Sequence, residues 1–195
     1  MNKNISFSSP DIQDSDLQVV ENVIRSGWLA HGEFSERLEE LFCNYTEVKY
    51  ATTVSNCTAG LHLSCLAAGF KHGDEVIVPA QTHTATSHAV EFTGARAVFA
   101  DVDQLSGNIL INELERKLSS KTKGIIPVHM AGISCDMETI NKFCETNNLL
   151  LIEDCAHAIG TKYNGSHVGG FGITGCFSFY PTKQITTGEG GVVIS

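Results

Sequence analysis

The 195 residues hold 13 lysines and arginines against 22 aspartates and glutamates, and no basic run interrupts the net charge of -9. A nucleic acid or an acidic membrane surface is thereby excluded as the main partner, and small molecules are expected instead. The length suits one sizeable core or one large domain, and no stretch approaches the roughly 18 apolar residues of a membrane span.

The lead "MNKNISFSSPDIQDSD" lacks the apolar core of a signal peptide. After it, "SDLQVVENVIRSG" sets Leu17, Val20 and Ile24 on one helical face, with Ser15 as the expected N-cap and Gly27 as the stop. A second helix is predicted over "EFSERLEELFCNY", where Phe34, Leu38, Leu41, Phe42 and Tyr45 recur at helical spacing. From about residue 50, short β-rich runs alternate with helical patterns: "ATTV", "EVIVP", "ARAVFADVD", "KGIIPVH", "LLLIED", "CFSFY" and "GVVIS". Helices are predicted between them near 58–68, 82–93, 111–119 and 136–147. This alternation is the mark of an α/β domain with a mostly parallel sheet, and consecutive apolar positions such as "LLLI" predict strands covered on both faces. Seven cysteines without a C-x-x-C pair, several in apolar runs, read as reduced, mostly buried thiols of a cytoplasmic protein. The chain stops at "GGVVIS", in or just after a strand, which leads us to expect a longer protein of which this is the first part.

Chemistry enters at "FSFYPTKQITTGEGG", residues 177–191. Its glycines let the backbone approach a ligand, and Ser178, Tyr180 and Thr182 offer hydroxyls. A lone lysine is ordinarily a solvated charge. Held between apolar strands, however, Lys183 would have its pKa lowered by desolvation, freeing the amine to form a Schiff base with a carbonyl. "LLLIED" places Asp154 at the carboxyl edge of the sheet, where open α/β folds bind ligands. It reads either as a cap for the following segment or as the acceptor for a protonated ring nitrogen, the arrangement that serves pyridoxal phosphate. In "SNCTAGLHLSCLAAG" the N–H groups of Thr58 and Ala59 are expected to be free for an anion, although an ordinary cap by Ser55 or Asn56 would suffice. With Ser178 they form a two-sided phosphate cup. His83 follows "EVIVP" at the same edge and is placed to stack on a planar ring. His129 and His157 fit structural roles equally well, and Glu189 reads as holding the glycine turn. No H-x-x-x-H or C-x-x-C spacing occurs, so no metal site is expected.

These segments resemble the DegT/DnrJ/StrS sugar aminotransferases, which have the aspartate-aminotransferase-like (type I) fold of pyridoxal-phosphate enzymes. The likeness covers nearly the whole chain, through "SGWLAHGEF", "VSNCTAGLHL", "GDEVIVPAQTHTAT", "GARAVFADVD", "KTKGIIPVHMAG", "LLIEDCAHAIGTKYNGSHVGGFG" and "CFSFYPTKQITTGEGGVVIS". The last two, in that order and at that separation, are highly specific. The resemblance implies that Lys183 carries the cofactor as a covalent Schiff base and then moves the proton between donor carbon and cofactor carbon. It implies Asp154 as partner of the pyridine nitrogen, Thr58 and Ala59 as backbone phosphate contacts, Ser178 as side-chain phosphate ligand, and His83 as the stacked ring. His157 replaces the more usual glutamine beside the cofactor, and Trp28 lies in a segment that lines the substrate entrance in relatives. Cys57 stands where the family usually has glycine, Ile173 replaces a usual aspartate, and "HMAGI" departs from the usual pattern.

The activity so implied is transfer of an amino group from an amino acid, with L-glutamate the expected donor, to a nucleotide-linked keto-sugar. Relatives are homodimers, with a small C-terminal domain after the large cofactor-binding domain to which residues 1–195 correspond. The alternatives are a pyridoxamine-phosphate-dependent sugar dehydratase, in which histidine replaces the attachment lysine, and a catalytically incomplete fragment or non-catalytic paralogue. The presence of Lys183 favours transamination over dehydration.

Overall fold

The computed structural model describes residues 8–195, so the part of the leader reading that concerns residues 1–7 lies outside it. Helix α1 (Asp14–Ser26) begins one position before the expected cap: Gln13 precedes the first helical residue and Ser15 is already inside. The cause is Asp16, whose carboxylate accepts from the Gln13 N–H at 2.9 Å and closes the first turn from its third position. Gly27 ends the helix at φ 72°, in the left-handed region that costs glycine little. The predicted stripe of Leu17, Val20 and Ile24 is present, but nothing in α1 is buried. Helix α2 (Glu33–Thr46) does pack, through Phe42, onto Phe177 and Phe179.

Then come β1 (Ala51–Val54), α3 (Cys57–Ala67), β2 (Glu75–Pro79), α4 (Thr84–Glu91), β3 (Arg96–Ala100), α5 (Ile111–Lys117), β4 (Thr122–Ile125), α6 (Met137–Asn147) and β5 (Leu150–Asp154). A short hairpin of β6 (Lys162–Tyr163) and β7 (Ser166–His167) precedes β8 (Thr174–Ser178) and β9 (Gly191–Ile194). Seven strands form one sheet in the order β1-β9-β8-β5-β4-β2-β3. Strands β3, β2, β4, β5 and β8 pair in parallel, while β9 runs antiparallel to both β8 and β1. The mostly parallel α/β architecture predicted from the alternation is therefore present.

Side-chain alternation explains why the sheet needs helices on both faces. In β2, Val76 and Val78 join the core with Leu61, Cys65 and Ile152, whereas Ile77 joins Leu114, Met137 and Ile140 on the other side. A third cluster, Phe42, Phe177, Phe179 and Val192, lies beneath α2. All seven cysteines are free thiols, six of them buried. Among the described residues no helix is long and apolar enough to cross a membrane.

Since β9 is antiparallel, its first residue meets the last residues of its neighbours: Gly191 pairs with both Ser178 and Val54. A Cβ on Gly191 would sit 2.8 Å from the Cys57 nitrogen and 2.7 Å from the Phe177 carbonyl oxygen, so only glycine lets β9 pass this close to the start of α3. That convergence brings the turn before α3, the end of β5 and the segment after β8 to one edge.

Candidate active site

At this carboxyl edge lies a cleft of about 440 Å³, a size suited to a small ligand. It is lined by residues following four different strands. Thr58 comes after β1, Thr82 and His83 after β2, Asp154 ends β5, and Ser178 and Lys183 follow from β8. The sequence-predicted residues Thr58, His83, Asp154, His157, Ser178 and Lys183 thus share one wall-to-wall space.

Asp154 is buried, and both carboxylate oxygens accept hydrogen bonds: Oδ1 from the Ala156 N–H at 3.1 Å, Oδ2 from Thr86 Oγ1 at 2.7 Å. The capping and the ligand-facing readings of this residue are therefore compatible. Lys183 is half-buried, its backbone held by a bond from its N–H to the Tyr180 carbonyl at 2.9 Å. Among the described residues its amine makes no ion pair. Burial lowers its pKa below the usual 10.5, opposed by the charge of Asp154 and by Cys57. A lysine so placed holds a larger neutral fraction than a solvated one, which a nucleophile or proton carrier needs.

At the other end, α3 presents its N-terminus to the cleft. The Thr58 N–H has no protein acceptor among the described residues. Ala59 departs from expectation: its N–H donates to Asn56 Oδ1 at 2.9 Å, and Ala59 does not line the cleft. Asn56 is thus the cap, and one free N–H remains where two were expected. The Ser178 hydroxyl accepts a long bond from the Tyr180 N–H at 3.4 Å and donates to no described protein group, leaving its proton for a ligand. Cys57 fits its crowded position by turning its thiol to the Cys176 carbonyl at 3.6 Å, and burial, then Asp154, pushes its pKa well up.

Two histidines face this space with their rings already committed. His83 caps α4, its Nδ1 accepting from the Ala85 N–H at 3.2 Å, and stays exposed to the cleft. His157 Nδ1 accepts from the Ala131 N–H at 3.3 Å. Its pKa is lowered by burial and by Lys183, against the opposing pull of Asp154. Trp28 is not brought to the cleft; it is 65% exposed and folds over its own turn, with Nε1 donating to the His31 carbonyl at 2.9 Å. Glu189 lines the cleft, and in its turn its backbone carbonyl accepts from Thr187 Oγ1. Thr86 and Thr82 are functional candidates that the sequence reading missed. Their only sequence signal is the i,i+4 spacing of two threonines in "THTAT".

His129, Glu153 and Cys155 lie close enough together to suggest a metal, yet the ligand atoms of His129 and Glu153 are already in use. His129 Nδ1 accepts from the Cys135 N–H at 3.1 Å, so its proton sits on Nε2 and is donated to Glu153 at 3.1 Å. This histidine is structural.

The model of the DegT/DnrJ/EryC1/StrS aminotransferase family matches residues 10–195. The chain belongs to that family. It is 42% identical over 194 residues to the GDP-perosamine synthase of Escherichia coli O157:H7, covering 99% of this chain and 53% of that protein. The chain thus spans about half the length of the curated relatives it matches. Among solved structures, the aminotransferase from Psychrobacter cryohalolentis superposes with a TM-score of 0.94 at 38% identity, covering 97% of this chain and 49% of that one. The PLP form of Spr1654 from Streptococcus pneumoniae does so with a TM-score of 0.92 at 33% identity, covering 98% and 53%.

Proposed function

We propose that residues 1–195 form the N-terminal segment and most of the cofactor-binding domain of a pyridoxal-phosphate-dependent aminotransferase. Its acceptor would be a nucleotide-linked keto-sugar and its donor L-glutamate. The observation that carries this reading is a lysine and a buried carboxylate lining one cleft that also offers a free helix N–H and an uncommitted serine hydroxyl. That donor set fits the group: an anion site, a carboxylate for a ring N–H, and an amine for a carbonyl. The relatives named as sugar aminotransferases and GDP-perosamine synthases support the substrate class.

When bound, pyridoxal phosphate supplies an electron sink next to the carbon that loses or gains the amino group. The residues of this chain do the rest. The Thr58 N–H at the α3 N-terminus and the Ser178 hydroxyl would bind the phosphate. Asp154 would accept the ring N–H. His83 and His157 would flank the ring. Lys183 Nζ would attach the cofactor, and within each half-reaction it would hold and move the proton between donor carbon and cofactor carbon, a task for which its lowered pKa suits it. Two copies of the complete protein would assemble as a homodimer in the cytoplasm.

Borohydride reduction of the protein mixed with pyridoxal phosphate, followed by peptide mapping, tests the assignment. The label is expected on the peptide containing Lys183. A label elsewhere, or none, overturns it and leaves a non-catalytic relative as the better description.

A further inference from the structure

Asp154 is gripped from a helix far away in sequence. Thr86, fully buried in the first turn of α4, donates from Oγ1 to Asp154 Oδ2 at 2.7 Å, and its Oγ1 also lies 2.7 Å from Thr82 Oγ1. Distance alone leaves the direction of the threonine pair open. Chemistry fixes it. A hydroxyl has a single proton, and Thr86 gives that proton to the carboxylate, so Thr86 can only accept from Thr82. The order is Thr82 hydroxyl to Thr86 hydroxyl to Asp154 carboxylate, a chain in which each bond polarises the next.

The same grip sets the direction of Asp154. With Oδ2 bonded to Thr86 and Oδ1 to the Ala156 N–H, the carboxylate is pinned at both oxygens by groups on two different elements. Each oxygen keeps further accepting capacity, and Asp154 lines the cleft. We propose that Thr86, backed by Thr82, is a positioning residue that fixes the Asp154 carboxylate toward the cleft. This rests on the reading of Asp154 as partner of the cofactor's ring nitrogen. A carboxylate held toward the cleft by the bond at Oδ2 can accept the ring N–H in good geometry, so the ring keeps its positive charge. Without that donor, the Asp154 carboxylate is free to turn from the cleft, and the ring N–H loses its fixed acceptor.

Thr86→Val keeps the shape and removes the donor, Thr86→Ser keeps the donor, and Thr82→Val removes only the backing hydroxyl. All three are compared with wild type by thermal melting to establish that they fold. In the pyridoxal-phosphate-loaded protein, Thr86→Val is expected to bind the cofactor roughly tenfold more weakly. It is also expected to shift the pH midpoint of the visible absorption upward, because a ring with less positive charge leaves the attached lysine nitrogen more basic. Thr86→Ser should restore both, and Thr82→Val should move both in the same direction by less. A role in packing alone would leave the midpoint where it is. A folded Thr86→Val protein with wild-type affinity and midpoint overturns the proposal.

A crystal structure of the cofactor-free Thr86→Val protein separates this idea from the functional reading beneath it. The Asp154 side chain is expected to leave its wild-type rotamer, and its staying put counts against Thr86 as the positioning group. Should wild type take up no cofactor, the functional reading falls, while the Asp154 rotamer still decides whether Thr86 positions it.

Discussion

Glu153 and Asp154 are consecutive residues of β5, both carboxylates and both buried, yet they do different work. Strand geometry sends them to opposite sides. Glu153 accepts from His129 Nε2 at 3.1 Å and from the N–H groups of Gly169, Phe171 and Gly172 at 2.7, 2.7 and 2.8 Å. Its lone pairs are used up, and the 169–172 turn is bound to the sheet through it. Asp154 takes one donor on each oxygen and keeps capacity toward the cleft. Burial therefore does not separate a structural acid from a functional one; saturation of its hydrogen bonds does.

The largest expected effect lies on the saturated side. Glu153→Ala strands three backbone N–H groups and the His129 donor in the interior, each losing the acceptor it had exchanged for water. A loss of about 3–5 kcal/mol in urea unfolding is expected, the range for removing one member of a buried charged network. A loss below about 1 kcal/mol would show that the 169–172 turn finds other partners and would blunt the contrast.

Asp154→Asn should do the reverse. The amide oxygen can still accept from Thr86, but the amide nitrogen leaves the Ala156 N–H without its acceptor, so stability should fall by about 1–2 kcal/mol, less than for Glu153→Ala, while cofactor affinity falls about ten- to a hundredfold with the lost charge-assisted bond. The same substitution should be visible without cofactor. Asp154 props up a Lys183 pKa that burial pushes below 10.5, so removing its charge should lower that pKa further. Acylation of Lys183 as a function of pH measures it, and an unmoved or rising midpoint would mean that the two groups do not share the cleft as described.

Much of this contrast was legible in the sequence, because strands covered on both faces announce themselves as apolar runs and a carboxylate closing such a run falls at the ligand-binding edge. Asp154 was placed at the cleft that way, and Lys183 from its position between apolar strands beside a glycine-rich turn; both line it. Direction was not legible: the run "GVVIS" looks the same parallel or antiparallel, yet β9 runs against its neighbours and so carries Gly191 to the start of α3. Thr86 was invisible because its meaning lies in a bond to a residue 68 positions away. Other features were written locally and passed over. Asn164 and Gly165, at φ 48° and 89°, make the two-residue turn of the β6–β7 hairpin, the conformation for which an Asn-Gly pair is the signal. Likewise Asp16, three positions after Gln13, marked the true start of α1 more clearly than Ser15 did.

The smallest effect concerns His157, which lies between the two regimes: its Nδ1 is saturated by Ala131, and its ring still lines the cleft. Ala131 is a non-glycine residue at φ 51°, a conformation that needs support from outside the turn. An N–H donated to Nδ1 requires that nitrogen to be unprotonated, and burial followed by Lys183 lowers the His157 pKa below 6.5, in keeping with that requirement. Between the lowered folded midpoint and 6.5 the unfolded chain binds the proton and the native one does not, so stability is lost as pH falls through this window. Water screens a half-buried ring, which holds the contribution under about 1 kcal/mol. In His157→Gln an amide oxygen can accept from Ala131 at any pH, so this variant's stability should decline less than wild type's from about pH 7 to about pH 5. Parallel declines in paired urea titrations would show that the Ala131 bond does not sense the ring's charge, and would move His157 to the side of residues that only face the cleft.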